Sequence, residues 1–95
     1  MTKDVTKVSY SNKFNKQLKK APAKIKEAFL RRRELFLQDS KHPQINNHAL
    51  SGELKGYRGI NVTGDWRAIF SEYIDSGGKK TIFFEMLGTH SQLYK

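Results

Sequence analysis

The 95-residue chain contains no cysteine, only two prolines, and only nine acidic residues against eighteen lysines and arginines. Without cysteine it can form neither a disulfide nor a thiolate metal site, and nothing ties it to an oxidising compartment. No stretch approaches the roughly 20 apolar residues of a membrane span, and residues 1–7 lack the apolar core of a signal peptide. We therefore expect a soluble, cytoplasmic protein that folds as a single domain over residues 1–95.

The excess of basic residues gives a formal net charge of +9 and a pI near 9.9. Such a charge on a small domain attracts polyanions, and binding of this kind weakens steeply as the salt concentration rises. A nucleic acid or an acidic protein is therefore the expected partner. The alternative is that the charge serves solubility alone, as it does in some small basic proteins.

Hydrophobic periodicity in the first half of the chain predicts one strand and two helices. A strand is expected over 5–9, followed by a helix over 12–20 that a preceding serine can cap. Pro22 ends this helix and can begin the next one, over 22–38, whose apolar stripe is expected to be core. The basic run 31–33 is expected to form a solvated face, with peripheral phosphate contacts as the alternative.

In the second half, a loop over 39–47 leads to strands expected over 57–63, 66–74 and 80–87. Turn signals at Gly64-Asp65 and at 75–78 separate these strands. The tail, 88–95, is expected to cross or cap the sheet. The β-α-α-β-β-β order predicts an α+β fold, with the two N-terminal helices packed on one face of a small antiparallel sheet and the other face left for function.

Residues that the common enzyme classes require are missing or badly spaced. The three histidines and nine carboxylates show no metal-ligand spacing such as His-Glu-x-x-His. Neither Ser51 nor Ser91 has a nucleophile-elbow context, and the chain has no Gly-x-x-x-x-Gly-Lys loop. We therefore expect chemistry that uses no cofactor. Cleavage of RNA is the leading example, because the 2′-hydroxyl of the substrate is itself the nucleophile.

Such cleavage needs a base, an acid and fixed positive charge at the phosphate. The candidate acid and base groups are His48, Asp65 and His90. The candidate cations are Arg67, Arg58 and Lys55. Trp66 and Tyr94 are candidates for stacking on bases or for donating a hydrogen bond. Structural alternatives remain open for three of them, in which Trp66 is core, Asp65 only closes the turn and His48 caps a strand. His42, in the long loop, is expected to be a surface bystander.

Three segments together resemble one known family. They are His-x-Leu-x-Gly-x-x-Lys-Gly-Tyr-Arg from His48, Gly-Asp-Trp-Arg-x-Ile-Phe from Gly64, and Gly-Thr-His-Ser-x-Leu-Tyr from Gly88. This combination resembles the RelE/YafQ-type toxins of bacterial toxin-antitoxin systems. The resemblance implies a RelE-like fold and a small basic ribonuclease that enters the ribosomal A site and cuts messenger RNA without a metal. It also implies an antitoxin that wraps the toxin and keeps it inactive.

Carried over position by position, the resemblance implies functional roles for His48, Asp65, Trp66 and His90. Tyr94 falls on an aromatic position near the C-terminus, Arg67 matches a phosphate-binding arginine, and Arg58 approximately matches a basic strand position. His90 and Asp65 are then the expected proton-transfer pair, with Arg67 on the phosphate. An antitoxin for so basic a toxin is expected to contribute acidic and apolar residues from a segment that folds on binding.

The sequence departs from the YafQ-like pattern at two positions. Asn61 stands in place of a histidine, and Met86 stands in place of an arginine. Because asparagine exchanges no proton at neutral pH and methionine binds no phosphate, catalysis is expected to be either rearranged around Arg67 or weak. The same fold also hosts ParE-type toxins, which inhibit DNA gyrase as binding proteins, and this is the alternative function. The retained acid and base candidates favour the nuclease.

Overall fold

The computed structural model of the protein describes residues 6–94. Its helices and strands are β1 (Thr6–Tyr10), α1 (Asn12–Lys20), α2 (Ala23–Gln38), β2 (His48–Ala49), β3 (Arg58–Asn61), β4 (Trp66–Ile74), β5 (Lys80–Thr89) and α3 (His90–Leu93). Two short 3-10 turns, Pro43–Ile45 and Gly52–Leu54, lie on either side of β2. None of the helices in this part of the chain has the length and apolar character needed to cross a membrane.

The five strands form one sheet in the order β1-β5-β4-β3-β2. Neighbours are antiparallel except for β1, which runs parallel to β5 with Val8 opposite Ile82. The α+β prediction, with two N-terminal helices on one face of the sheet, is confirmed. The sheet is mixed rather than wholly antiparallel, because α1 and α2 carry the chain back over the sheet after β1.

Several predicted bounds need correction. The first strand ends one residue later than expected, at Tyr10, and Val5 lies outside the described residues. Pro22 precedes α2 as its N-cap, with an extended ψ of 151°, instead of being its first residue. The strand expected over 57–63 is limited to Arg58–Asn61, and the last strand continues to Thr89. The two-residue strand β2 and the C-terminal helix α3 were not predicted as such.

Ser11 is the residue that joins β1 to α1 and to the middle of β5. Its hydroxyl accepts the backbone N–H of Phe14 at 2.9 Å, which caps α1, and donates to the carbonyl of Glu85 at 2.7 Å. Because β1 ends at Tyr10, the outer edge of β5 has no strand partner beyond Phe84. Beyond that point Gln17 of α1 provides a hydrogen-bond acceptor for the strand edge, since its side-chain oxygen accepts the N–H of Leu87 at 2.8 Å.

The core lies between the two helices and the sheet, and aromatic rings dominate it. Phe84 of β5 is at the centre, with ring centroids 5.2 to 6.4 Å from those of Tyr10, Phe14, Phe29, Phe36 and Phe70. The predicted stripe of α2 is confirmed as core at Ile25, Ala28, Phe29 and Phe36, and Leu35 is partly buried against it. This aromatic core supports the strands whose other face carries the site.

Candidate active site

The C-terminal helix α3 is short, but its N-terminus is fixed by several hydrogen bonds. Thr89 and Gln92 form a capping box, in which the Thr89 hydroxyl accepts the N–H of Gln92 at 3.3 Å and the Gln92 side chain accepts the N–H of Thr89 at 2.8 Å. The N–H of His90 donates to the carbonyl of Asp65 at 3.0 Å, which ties the helix to the turn between β3 and β4. His90 and Tyr94 then lie one turn apart, with ring centroids 4.7 Å apart.

Gly88 allows α3 to pack this closely against β5. A Cβ atom at Gly88 would lie 3.0 Å from the Gln92 side-chain oxygen and 3.3 Å from Leu93. Gly88 is paired with Arg67, whose strand neighbour Ala68 points into the core. Since side chains alternate along a strand, Arg67 and the packed helix lie on the face of the sheet opposite α1 and α2.

A pocket of about 340 Å³ opens on this face, and we call it the histidine pocket. Its lining includes Asn46, His48, Ser51, Arg67, His90 and Tyr94. Gly59, opposite His48 in the β2–β3 pair, lies beneath it: a Cβ there would be 3.5 Å from the Tyr94 hydroxyl and 3.6 Å from the His48 ring. The fold thus gathers four of the eight predicted site residues, His48, Arg67, His90 and Tyr94, from three separate elements.

The hydrogen bond of His48 defines which of its nitrogens is free. Its Nδ1 lies 2.7 Å from the backbone carbonyl oxygen of Asn46. Because a carbonyl only accepts, Nδ1 must carry the hydrogen, and the neutral ring leaves the lone pair of Nε2 available to accept a proton. Asn46 has a left-handed backbone with φ of 47°, a conformation that asparagine tolerates better than most residues. Asn46 therefore orients the imidazole through its main chain.

Arg67 is held in place by the turn that precedes it. Its Nη1 donates to three carbonyl oxygens, those of Gly64 at 3.0 Å, Thr63 at 3.2 Å and Trp66 at 3.3 Å. Within residues 6–94, Nε and Nη2 make no hydrogen bond, so their N–H groups remain for an anion in the pocket. The half-buried guanidinium is thus a fixed positive charge.

Tyr94 contributes a buried hydroxyl to the same pocket. Its oxygen is fully buried and has no hydrogen-bond partner among the described residues. Burial raises the pKa of the phenol above its ordinary value of 10.0, although the neighbouring Arg67 charge opposes the rise. The phenol is therefore protonated at neutral pH, so that it can donate a hydrogen bond but cannot act as a base.

The two positions that depart from the family pattern lie in different surroundings. Asn61 is paired with Arg67 across β3 and β4, and its side-chain oxygen is buried without a partner in the described part of the chain. Met86 lines a larger neighbouring cavity instead of the histidine pocket. Asn61 therefore puts a neutral amide beside the arginine.

The other four predicted site residues do not line the histidine pocket. Asp65 is exposed in the turn, where its backbone contacts His90, and Lys55 is exposed after the second 3-10 turn. Trp66 packs partly against the core and lines the larger cavity. Arg58 is engaged elsewhere, since its Nε donates to the Asn47 side chain at 2.8 Å. Sequence reasoning did not single out Asn46, although an asparagine pair immediately before His48 is a turn signal.

Replacing Arg58 by alanine is expected to destabilise the protein by about 1–3 kcal/mol, because the half-buried Asn47 amide loses a charged donor. Asn47 also donates to the carbonyl of Ser40 at 2.9 Å, so the 39–47 loop depends on this contact. The free energy of unfolding in urea measures the effect. Lys55→Ala, an exposed basic residue, is the matched control and is expected to change it by less than about 0.5 kcal/mol. Equal stability of the two variants would contradict the structural role of Arg58.

Within residues 6–94, no three His, Asp or Glu side chains come together as they would around a metal ion. Curated protein sequences give no significant match. The crystal structure of YafQ from Escherichia coli strain BL21(DE3) is similar, with a TM-score of 0.66 and 25% identity, covering 96% of this chain and 100% of that chain.

Two further solved structures show a similar degree of likeness. A metal-bound toxin from Helicobacter pylori is 26% identical, with a TM-score of 0.65, covering 93% of this chain and 98% of that one. In the E. coli DinJ-YafQ toxin-antitoxin complex, the matching chain is 26% identical, with a TM-score of 0.61, covering 95% of this chain and 98% of that one. The family model described as "Bacterial toxin of type II toxin-antitoxin system, YafQ" matches residues 6–95. Because that match spans nearly the whole chain, the protein belongs to the YafQ family of type II toxin-antitoxin toxins, which confirms the resemblance seen in its sequence.

Proposed function

We propose that this toxin is a ribosome-dependent endoribonuclease that cuts messenger RNA by metal-independent acid-base chemistry in the histidine pocket. The observation that carries the proposal is the convergence of two imidazoles, a guanidinium and a buried phenol around about 340 Å³. Such a set can exchange protons on both sides of a phosphodiester and can bind its negative charge.

In the proposed reaction, Nε2 of His48 accepts the proton of the substrate's 2′-hydroxyl. The 2′-oxygen bonds to the adjacent phosphorus, and the bond from phosphorus to the 5′-oxygen of the next nucleotide breaks. Protonated His90 donates a proton to that leaving oxygen. The products are a 2′,3′-cyclic phosphate and a 5′-hydroxyl, so that atoms and charge balance without a cofactor.

We assign the base to His48 instead of Asp65, because the Asp65 carboxylate does not line the pocket. The sequence had suggested His90 and Asp65 as the pair. Asp65 contributes through its backbone, by accepting the N–H of His90. It therefore acts in the proposal as a positioning residue for the acid.

Arg67 and Tyr94 supply the stabilisation of charge. The free N–H groups of the Arg67 guanidinium bind the non-bridging oxygens, where negative charge grows as the 2′-oxygen attacks. The Tyr94 hydroxyl, which lacks a partner in the described structure, donates to the same phosphate. The family pattern has a second arginine at the position of Met86 and a histidine at that of Asn61. Because neither Met86 nor Asn61 carries a charge, Arg67 takes the cationic role that the family pattern divides between two arginines.

We also propose that an antitoxin binds this chain, as DinJ does with E. coli YafQ. The net charge of +9 favours a partner segment that is rich in acidic residues. Such a segment would order on the toxin surface and neutralise part of its field.

Mapping of cleavage sites by primer extension on messenger RNA, with and without ribosomes, tests the proposed function. Wild type is expected to produce cuts only when ribosomes are present. His90→Ala is expected to remove them, whereas His42→Ala, a histidine outside the pocket, is expected to preserve them. An absence of cuts under every condition would refute the nuclease, and inhibition of gyrase supercoiling would then support the binding-protein alternative.

A further inference from the structure

A larger cavity of about 940 Å³ adjoins the histidine pocket, and we call it the α1 groove. It lies between α1, the 3-10 turn Gly52–Leu54 and α3, and its lining includes Lys13, Gln17, Lys20, Leu54, Trp66 and Leu93. Ser51 and Tyr94 line both cavities. A chain-like ligand that leaves the histidine pocket past Tyr94 would therefore enter the α1 groove directly.

One face of α1 supplies the polar wall of the groove. Lys13, Gln17 and Lys20 follow one another at spacings of four and three residues, which places them in a row along the helix. Both lysines are exposed, and neither forms an ion pair with another described residue. Gln17 accepts a hydrogen bond through its oxygen, so its amide nitrogen remains a donor.

The opposite wall is apolar and aromatic. Trp66, Leu54 and Leu93 are half-buried there, with Trp66 resting on the core. One carboxylate, that of Glu53, also borders the groove, so the two lysines leave an excess of positive charge. An aromatic ring and basic side chains in the lining of one groove are the combination that binds single-stranded nucleic acid, because bases stack while phosphates pair with the basic groups.

We propose that the α1 groove is a second substrate site, which takes the single-stranded RNA next to the cleaved phosphodiester. A base stacks on Trp66, and flanking phosphates contact Lys13 and Lys20. The proposal rests on the proposed nuclease function, since continuity with the histidine pocket selects the substrate strand as the occupant. The volume suits a nucleotide-sized ligand, as it falls within the range of about 300–1,000 Å³ for ligand sites.

The α1 helix offers a matched pair of double variants. Lys13→Ala/Lys20→Ala removes the two groove lysines, and Lys16→Ala/Lys19→Ala removes two exposed lysines of the same helix that do not line the groove. Binding of a fluorescent 2′-O-methyl RNA oligonucleotide, which lacks the nucleophile, is followed by anisotropy over a salt series. We expect the salt slope to fall by roughly 0.7 for each lost phosphate contact in the groove variant, and to change less in the control.

The intrinsic fluorescence of Trp66 reports on base stacking without any substitution, because Trp66 is the only tryptophan in the chain. Stacking of a base is expected to quench its fluorescence as the same oligonucleotide saturates the protein. Trp66→Leu is expected to weaken binding by roughly 5- to 150-fold, the range for loss of one base–aromatic stack. Unchanged fluorescence at saturation would overturn the stacking, whether or not the variant folds well.

Cleavage of ribosome-bound messenger RNA separates this inference from the function on which it rests. The groove variant is expected to need more toxin for half-maximal cleavage than the control variant does. Equal requirements in the two variants would overturn the groove site and leave the nuclease intact. Groove-dependent RNA binding without any cleavage by wild type would overturn the nuclease and leave the groove as an RNA-binding site without a substrate role. If the groove lysines bind a synthetic Glu/Leu peptide but not RNA, the groove belongs to a protein partner and the inference fails.

Discussion

Replacing His48 by alanine is expected to slow single-turnover cleavage of ribosome-bound messenger RNA by roughly 10²- to 10⁴-fold, the usual contribution of a positioned acid or base. The Asn46 carbonyl, 2.7 Å from Nδ1, leaves Nε2 as the only nitrogen that can take the substrate's proton. Alanine removes this acceptor while the surrounding pocket keeps Arg67 and Tyr94. Rates from gel-resolved time courses, at a toxin concentration that saturates the ribosomes, give the measurement.

His48→Gln is the sharper variant for the same point, because glutamine keeps a hydrogen-bonding side chain but exchanges no proton. It is expected to be as slow as His48→Ala. Nitrogen-15 NMR of the imidazole tests the geometry independently of activity, and is expected to show the Nδ1–H tautomer in the neutral ring. A rate close to that of wild type in both variants would show that another residue is the general base, with Asp65 as the next candidate. The opposite tautomer would contradict the Asn46 contact.

Helices and long strands were predictable because their signals are local. The bounds of α1 and β4 agree with the expected ones, since a capping serine and a turn mark their ends in the sequence. Strand β2 has only two residues and exists through its pairing with β3, a tertiary effect that leaves no periodicity to detect. Helix α3 did have a signal: Thr89 and Gln92 have the spacing of a capping box.

Residue types predicted half of the lining of the histidine pocket, and strand geometry explains why other candidates lie outside it. Trp66 and Arg67 are neighbours in β4, and consecutive strand residues point to opposite faces, so they cannot both enter one pocket on the sheet. The same alternation separates Arg58 from Gly59, whose face carries His48 and Tyr94. A resemblance that lists functional positions cannot distinguish the two faces, but the strand assignment can.

The position of Asn61 bears on the role that we propose for Arg67. It lies opposite Arg67, and its buried oxygen has no partner in the described part of the chain. A protonated histidine at this position would compete with Arg67 for the phosphate and would repel the guanidinium. The neutral amide of Asn61 carries no charge that could do either. The arginine is instead held by three turn carbonyls. In the proposed reaction, the positive charge that meets the cleaved phosphate is therefore assigned to Arg67.

The largest effect on stability is expected from Phe84→Ala, which should lower the free energy of unfolding by about 3–5 kcal/mol. Phe84 is completely buried and contacts five other aromatic rings, so its removal leaves a cavity that the helices and sheet cannot easily close. Because small domains are stable by only about 5–15 kcal/mol in total, the variant approaches the limit of folding. Urea denaturation followed by circular dichroism measures the change.

Ile74→Ala is the control for Phe84→Ala, because Ile74 is a large apolar residue that is 70% exposed, and it should stay within about 0.5 kcal/mol of wild type. Loss of Phe84 is also expected to reduce the proposed cleavage, but through the folded fraction, which is a different route from that of His48→Ala. The folded fraction falls while each folded molecule retains its pocket, so cooling towards the temperature of maximum stability should restore activity in proportion to the recovered circular dichroism signal. A full loss of cleavage in a fully folded Phe84→Ala protein would mean that the core transmits strain to the histidine pocket, which nothing in the contacts of Phe84 predicts.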